Sequence, residues 1–376
     1  MALGGLRAPP GSDADAYARH VGSESWGGRV AIVGGGIAGL TLSAALDPAR
    51  FEVIVYEAQP ERVAGGAALG LWPSARRALE GLGVTLPAAA AFAPGTAAIF
   101  AVGGRRLLRL RPPPIHLVDR PALMAALADV VPESVVRITR EIDRPELLAG
   151  PARPPLEGPG GAADVVVGAD GVRSRVRGLV HPAGAGRRAT PWVALRGIRE
   201  VTPAPGDVGE YWGRGRLFGL APVGDSRSYW FTAHRSDLGP EPLALDQVLA
   251  EARAVFADDA GVIAAHLDAA GPGTLATRIW TAPPLPRYAR GPYVVIGDAA
   301  HAAAPNLGRG ACDAVLDAVS LAATLNAGGS LRTWQARRLP PTQVARVAAT
   351  ALARVATGRL VGGPSARAKG GPRPDN

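Results

Sequence analysis

Residues 29–40 read RVAIVGGGIAGL, and residues 294–314 read VVIGDAAHAAAPNLGRGACDA. Each stretch opens on a short apolar run of buried-strand character, turns on glycine and enters a helical pattern. In the first, residues 30–33 form the strand, Gly34-Gly35-Gly36-Ile37-Ala38-Gly39 the turn, and the helix runs through Leu40 and Leu46 to Asp47-Pro48. A second strand over 52–56 ends in Glu57. This strand–turn–helix–strand context gives a G-x-G-x-x-G match its meaning. Gly34 serves the tight turn, Gly36 lets the backbone approach a pyrophosphate, and Gly39 lets the helix pack on the strand. Ile37 and Ala38 open the helix, whose free N–H groups and partial positive charge suit phosphate. Glu57 follows Gly39 by eighteen residues, near the separation of about 20 expected of a ribose-binding acid. A carboxylate there suits a free 2′-hydroxyl and repels a 2′-phosphate, so the turn fits FAD or NAD rather than NADP.

Outward from these turns, the chain reads as strands and helices in alternation. Residues 65–83 give a loop and then a helix from 73 to 82, followed by strands at 97–102 and 106–110. A helix over 122–130 has Pro121 in its first turn, with Arg120 just before it. Residues 140–163 are rich in Pro and Gly and poorly patterned. A buried strand over 164–167 then leads into GADGVRSRVR at 168–177. From 192 to 233, alternating segments with Gly and Asp at the turns read as antiparallel strands, and a helix follows over 243–256. Trp192, Trp212, Trp230 and, just beyond, Trp280 belong to this region. Tyr293 begins another buried strand, Gly297-Asp298 follows it, and a helix runs from Gly308 through Leu321. A last amphipathic helix over 331–356 is expected to be interrupted at Pro340-Pro341.

Bulk properties narrow the class. The chain has 376 residues, 47% apolar and 19% charged, which describes a globular protein. The net charge of +9 is carried by Arg scattered along the chain, Lys369 being the only Lys. Blocks of charge are absent, so nucleic acid is not expected as a partner. One cysteine, Cys312, excludes an intrachain disulfide and a Cys-based zinc cage, and no metal site is expected. There is no apolar run of about 18 residues and no signal-peptide pattern, so a soluble cytoplasmic protein is expected, a monomer or homodimer.

Three signatures, Gly34-x-Gly36-x-x-Gly39 with Glu57, Asp170-Gly171-x-x-Ser174-x-x-Arg177, and Gly297-Asp298, occur in the order found in one family. On them the chain resembles the single-component (class A) FAD-dependent aromatic monooxygenases, which share the p-hydroxybenzoate hydroxylase fold. The resemblance implies an α/β protein: a Rossmann-type FAD-binding domain with a parallel sheet, an inserted and mainly antiparallel substrate domain, and a C-terminal helix. The implied division runs as a disordered tail over 1–27 and the first part of the FAD-binding domain over 28–95. Residues 96–118 give the first strands of the substrate domain, and 119–190 return to the FAD-binding domain. The rest of the substrate domain spans 191–284, the closing FAD-binding segment with the C-terminal helices 285–357, and a second tail 358–376.

The resemblance also assigns roles. Asp298 would bond a ribityl hydroxyl of FAD, and Gly308, Gly310 and Ala311 would aim helix N–H groups at the flavin pyrimidine edge, where negative charge gathers on reduction. Asp170 would serve the pyrophosphate region and NAD(P)H, and Arg120 would also contact FAD. The implied activity is hydroxylation of a small, aromatic molecule with NADPH or NADH and O2, through a flavin C4a-hydroperoxide, the flavin carrying the chemistry and no catalytic triad being needed. Arg196, Trp212, Leu220, Trp230 and Pro305 are the expected pocket wall, and Arg196 facing it would suit an anionic substrate. Arg309, Leu316 and Ser74 depart from the Gln, Glu and Asn common in the family. His301 reads as structural, His234 as a polar edge residue and Cys312 as packing. A reductase of the same fold and a non-catalytic flavin binder remain open as alternatives. A flavin-dependent halogenase does not, since its W-x-W-x-I-P run is absent.

Overall fold

The computed structural model describes residues 28–61, 68–86, 98–109, 115–149, 162–240 and 242–358. The tail expected over 1–27, all but the first residue of that over 358–376, and the centre of the irregular stretch 140–163 lie outside the described residues.

The first quoted stretch folds as β1 (Gly28–Val33), α1 (Ile37–Ala45) and β2 (Phe51–Glu57), with the two strands parallel and Val33 opposite Tyr56. On the other side of β1 lie β8 (Val165–Gly168) and then β15 (Tyr293–Val295), both parallel. Adding β7 (Val136–Thr139) outside β2 and β14 (Ala289–Arg290) at the far edge gives a six-stranded sheet in the order β14-β15-β8-β1-β2-β7. A parallel sheet must be covered on both faces, which is why β1 and β8 are near-continuous runs of Val, Ile and Ala. Val30, Ala31, Ile32 and Val33 are 5% exposed or less. Their core is shared with α1, α4 (Val176–Val180), α8 (Gly310–Asn326) and α9 (Leu331–Ala356), through Leu42, Val176, Leu321 and Trp334.

A seven-stranded sheet forms the second layer. It comprises β4 (Ala98–Ala101), β5 (Arg106–Arg109), β9 (Arg188–Arg199), β10 (Gly209–Gly213), β11 (Arg216–Val223), β12 (Arg227–Arg235) and β13 (Leu275–Thr281), in the order β13-β9-β12-β11-β10-β4-β5. Only the β10–β4 pairing is parallel. Two helices, α5 (Leu245–Val255) and α6 (Gly261–Asp268), cover one face through Val248, Ala252, Ile263 and Leu267. The opposite face turns toward the first lobe.

Several local expectations are corrected. A strand, β3 (Ala68–Leu71), stands where a loop was expected before α2 (Pro73–Gly81). It pairs antiparallel with β6 (His116–Asp119), so residues 116–118 join a separate two-stranded sheet and not β4 and β5. Arg120 lies inside the first turn of α3 (Arg120–Asp129) and not ahead of it. Among the elements without a clear sequence signal are α6 and β13. Helix α9 runs unbroken through Pro340 and Pro341. Each interior proline costs about 3 kcal/mol in an isolated helix, but contacts grip α9 on both sides of the pair. Arg338 donates to Asp317 at 2.8 Å, Thr342 Oγ1 lies 2.6 Å from the Tyr288 hydroxyl, and Arg346 donates to the Ala282 carbonyl at 3.1 Å.

Candidate active site: a cleft where three turns meet

At the first turn, the Gly34 amide donates to the Tyr56 carbonyl at 2.8 Å. Gly34 has φ +105°, and a Cβ there would stand 2.4 Å from the Ala169 carbonyl oxygen; one on Gly39 would stand 2.0 Å from the Gly34 oxygen. The chain itself therefore demands these two glycines. Gly36 differs: a Cβ on it would meet nothing within 4 Å. No contact among the described residues requires a glycine there, and its openness suits the approach of a ligand. Ile37 and the buried Ala38 begin α1, whose N-terminus has no side-chain cap, leaving N–H groups free. Glu57 accepts from the Gly35 amide at 2.7 Å and from the Gln59 amide at 2.8 Å, so it also fastens the turn.

Asp170 sits directly against this turn. Its Oδ2 accepts from the Arg175 amide at 2.8 Å, whereas its Oδ1 is buried with no hydrogen-bond partner among the described residues. Burial pushes its carboxyl above the usual range, against hydrogen bonds from Ser174 and backbone amides. Ser174 Oγ accepts from the Arg177 amide at 3.0 Å. Arg177 is wholly buried, and burial pulls its guanidinium down to about 10. Its two terminal nitrogens donate to the carbonyls of Pro283 at 3.2 Å and Asp298 at 3.3 Å, so this segment is tied to the third turn.

That third turn is held by a buried charge cluster. Asp317, on α8, accepts from the Gly297 amide at 2.9 Å, from His301 Nε2 at 2.7 Å and from Arg338 Nε at 2.8 Å. Burial would lower the His301 imidazole, but the Asp317 charge and hydrogen bond carry it above its ordinary value, with Asp313 and Asp298 adding. Burial would likewise raise Asp317, and His301 and Arg338 hold it below the usual carboxylate range. His301 is thus a structural residue, on the short helix α7 (Asp298–His301). Asp298 itself is exposed between buried neighbours.

Beyond it, Pro305–Leu307 makes one 3-10 turn, Gly308 adopts φ +58° and α8 starts at Gly310 without a side-chain cap. A Cβ on Gly310 would have only Asp298 Oδ1 near it, at 3.9 Å. Asp298 and Gly310 thus stand side by side and exposed; Gly308 and Pro305 are exposed as well, and Ala311 is half-buried. Arg309 lies with its guanidinium carbon 5.2 Å from the Trp72 ring centroid and donates to Asp313 at 3.1 Å. Cys312 is packing: its Sγ accepts from the Trp72 amide and donates to the Gly70 carbonyl, both at 3.2 Å, and burial pushes its thiol up. Arg120 is exposed, and among the described residues no hydrogen bond ties it to these turns.

The expected pocket wall divides by strand parity. Leu220 and Trp230 pair across β11 and β12 and point into the core under α5 and α6, 2% and 1% exposed. They cannot line a cleft facing the first lobe, and that expectation is corrected. His234 shares this parity and is buried on a central strand, 3.4 Å from Glu251, rather than at an edge. Arg196 and Trp212 have the opposite parity and lie on the face toward the first lobe, together with Tyr229, Phe231 and Glu210. Those last three carried no sequence signal, because only strand register assigns a face.

Three turns, two uncapped helix N-termini, an open glycine and an unpaired buried carboxylate oxygen define a dinucleotide-binding flavoprotein cleft beside an antiparallel sheet. The described residues contain no group of His, Cys, Asp or Glu that could hold a metal ion, and no described helix is long and apolar enough to cross a membrane. A family described as FAD binding domain matches residues 157–339, and one described as NAD(P)-binding Rossmann-like domain matches 32–97. The chain is 31% identical over 327 residues to the aurachin C monooxygenase/isomerase of Stigmatella aurantiaca, covering 82% of this chain and 83% of that protein. It is also 31% identical over 346 residues to the 3-amino-4-hydroxybenzoate 2-monooxygenase of Streptomyces cremeus, covering 84% of each. The crystal structure of Klebsiella pneumoniae HpxO with FAD and uric acid superimposes with a TM-score of 0.74 at 24% identity, over 88% of this chain and 89% of that one. The chain belongs to the class A FAD-dependent monooxygenases, the family its three signatures resemble.

Proposed function

We propose that this monooxygenase hydroxylates a small, planar aromatic molecule bearing an acidic substituent, with FAD held in the cleft between the three turns. The single observation that carries the cofactor assignment is the contrast at the first turn: packing forces Gly34 and Gly39, while Gly36 faces open space. In this reading the α1 N-terminus with Gly36, Ile37 and Ala38 takes the pyrophosphate, and Glu57 takes the adenosine ribose. Asp170 supplies its unpaired Oδ1 to the same region, Asp298 meets the ribityl chain, and Arg120 contacts FAD from the start of α3. Residues 308–311 direct N–H groups and the positive end of α8 at the flavin edge. Bound FAD, reduced by NADH or NADPH, supplies the electrons with which O2 yields a product hydroxyl and water.

The chain's own work is binding, orientation and exclusion of water. Arg196 is half-buried on the inner face, donates to Thr277 Oγ1 at 3.2 Å, and forms no ion pair among the described residues. Burial raises the neighbouring Tyr229 phenol, and the Arg196 charge and hydrogen bond partly offset that. A guanidinium without a counterion among the described residues, on the same sheet face as the half-buried Phe231, suits the acidic substituent of an aromatic ring. Relatives that act on aminohydroxybenzoate support this class. A cytoplasmic site of action fits the use of NAD(P)H.

The test is the visible spectrum of the purified protein during anaerobic addition of NADPH or NADH, with and without a panel of aromatic carboxylic acids. Expected is a yellow protein whose bleaching accelerates with a carboxylic acid bound. A flavin that neither nucleotide bleaches, or a protein that takes up no FAD, overturns the reading.

A further inference from the structure

The inner face of the seven-stranded sheet carries a second ionisable group, Glu210, with no oppositely charged partner among the described residues. Glu210, Gly219, Phe231 and Arg196 stand at one register level on β10, β11, β12 and β9. Three interstrand steps of about 4.8 Å place the Glu210 and Arg196 Cα atoms about 14 Å apart. Between them lies an apolar floor. Gly219 leaves room that the half-buried Phe231 ring occupies, a Cβ on Gly219 falling 2.2 Å from that ring. On one side of this level the face is closed by Leu117 and Ala68 packing on Tyr229, and on the other by Leu352 and Ala356 packing around Trp212.

Glu210 has one hydrogen bond among the described residues: its Oε2 accepts from Trp212 Nε1 at 2.7 Å. No cation pairs with it among the described residues, and burial pushes its carboxyl above the usual range. A half-buried carboxylate with acceptor capacity left over is costly unless something donates to it. The other oxygen of Glu210, Oε1, makes no hydrogen bond among the described residues and keeps its acceptor capacity on this face.

We propose that Glu210 is a specificity-determining residue that accepts a hydrogen bond from an amino, hydroxyl or ring N–H group on the substrate, at the end opposite the acidic group held by Arg196. The substrate class is then an amphoteric aromatic: an anion toward β9, a donor toward β10, and the ring over Phe231. This inference rests on the reading of Arg196 given above. It adds a requirement which that reading lacks, namely a donor on the far side of the ring.

The experiment measures ligand dissociation constants for the oxidised holoenzyme from flavin difference spectra. The probes are matched pairs: 4-aminobenzoate against 4-methylbenzoate, and 4-hydroxybenzoate against 4-methoxybenzoate. A hydrogen bond to a charged acceptor implies that each donor-bearing compound binds the wild type about tenfold more tightly than its match. Glu210→Gln keeps an acceptor for Trp212 Nε1 and turns an amide donor toward the ligand. In that variant the preference should vanish, or reverse toward 4-methoxybenzoate, with FAD affinity unchanged. Arg196→Met should weaken all four compounds alike and leave their ranking intact. Carboxylates that bind without any preference for the donor, or a preference that survives Glu210→Gln, overturn the role of Glu210 alone. Failure of all four to perturb the flavin overturns the anionic-aromatic reading and this inference with it.

Discussion

The glycine-turn cleft and the inner face of the seven-stranded sheet are built on opposite principles. In the cleft, backbone geometry dictates residue type: a positive φ at Gly34 and a 2.0 Å approach at Gly39 admit only glycine. On the sheet face, backbone geometry dictates nothing but parity. Arg196 and Leu195 are neighbours in sequence, yet one faces the cleft and the other the core under α5 and α6. A cofactor used by a whole family can be held by local rules, whereas a substrate pocket is held by choices of side chain on a fixed frame. The first region is therefore robust and recognisable, and the second is free to change specificity.

The largest effect expected is at the charge cluster beneath the cleft. Asp317→Ala leaves His301 buried without its carboxylate and Arg338 with only its longer contact to Asp313, and should cost about 3–5 kcal/mol, measured by urea unfolding. Next come the glycines. Gly34→Ala combines overpacking with positive-φ strain and should cost about 3 kcal/mol. Gly36→Ala should change stability by under about 1 kcal/mol yet weaken FAD at least about tenfold. Equal stability losses at the two positions would break the distinction between packing glycine and ligand glycine.

On the sheet face, Arg196→Met should weaken aromatic carboxylates by about 10- to 100-fold with stability little changed, read by spectral titration. The pH dependence follows from signs. His301 is raised in the folded state, so its contribution is fully present below the ordinary value of about 6.5 and is lost as pH rises through its folded value. Asp317 is lowered, so its contribution is present above about 3.9 and is lost as pH falls through its folded value. Thermal melts from pH 6 upward should decline in the wild type, and less steeply in His301→Gln. The smallest effect is at Arg309, whose charge stands beside the α8 N-terminus. Arg309→Gln should lower the bound flavin's two-electron potential by about 30 mV, a tenfold change in equilibrium; an unchanged potential would mean that Asp313 neutralises it.

Much of the first region could be read directly. The strand before Gly34, the helix after it, Glu57, and the turns at Asp170 and Gly297 all stand where pattern and spacing put them. In the sheet lobe the strands were readable as strands, but their faces were not. Leu220 and Trp230 are as aromatic or apolar as Tyr229 and Phe231, and a one-residue change of register exchanges the two sets. The run through Pro340-Pro341 was misread for a related reason. Local propensity argues for a break, and the contacts that override it come from Asp317, Tyr288 and Ala282, remote in sequence.

The amino-acid order alone exposed the dinucleotide-binding turn, because close backbone approach and positive φ leave a residue signature that needs no knowledge of neighbours, and the resemblance carried by the three signatures gave the class. Tertiary structure alone decided that Arg196, Glu210 and Phe231 share one level of one face. It alone joined Asp317 to His301 and Arg338, since pairing register and long-range packing, not local preference, choose which side chains meet.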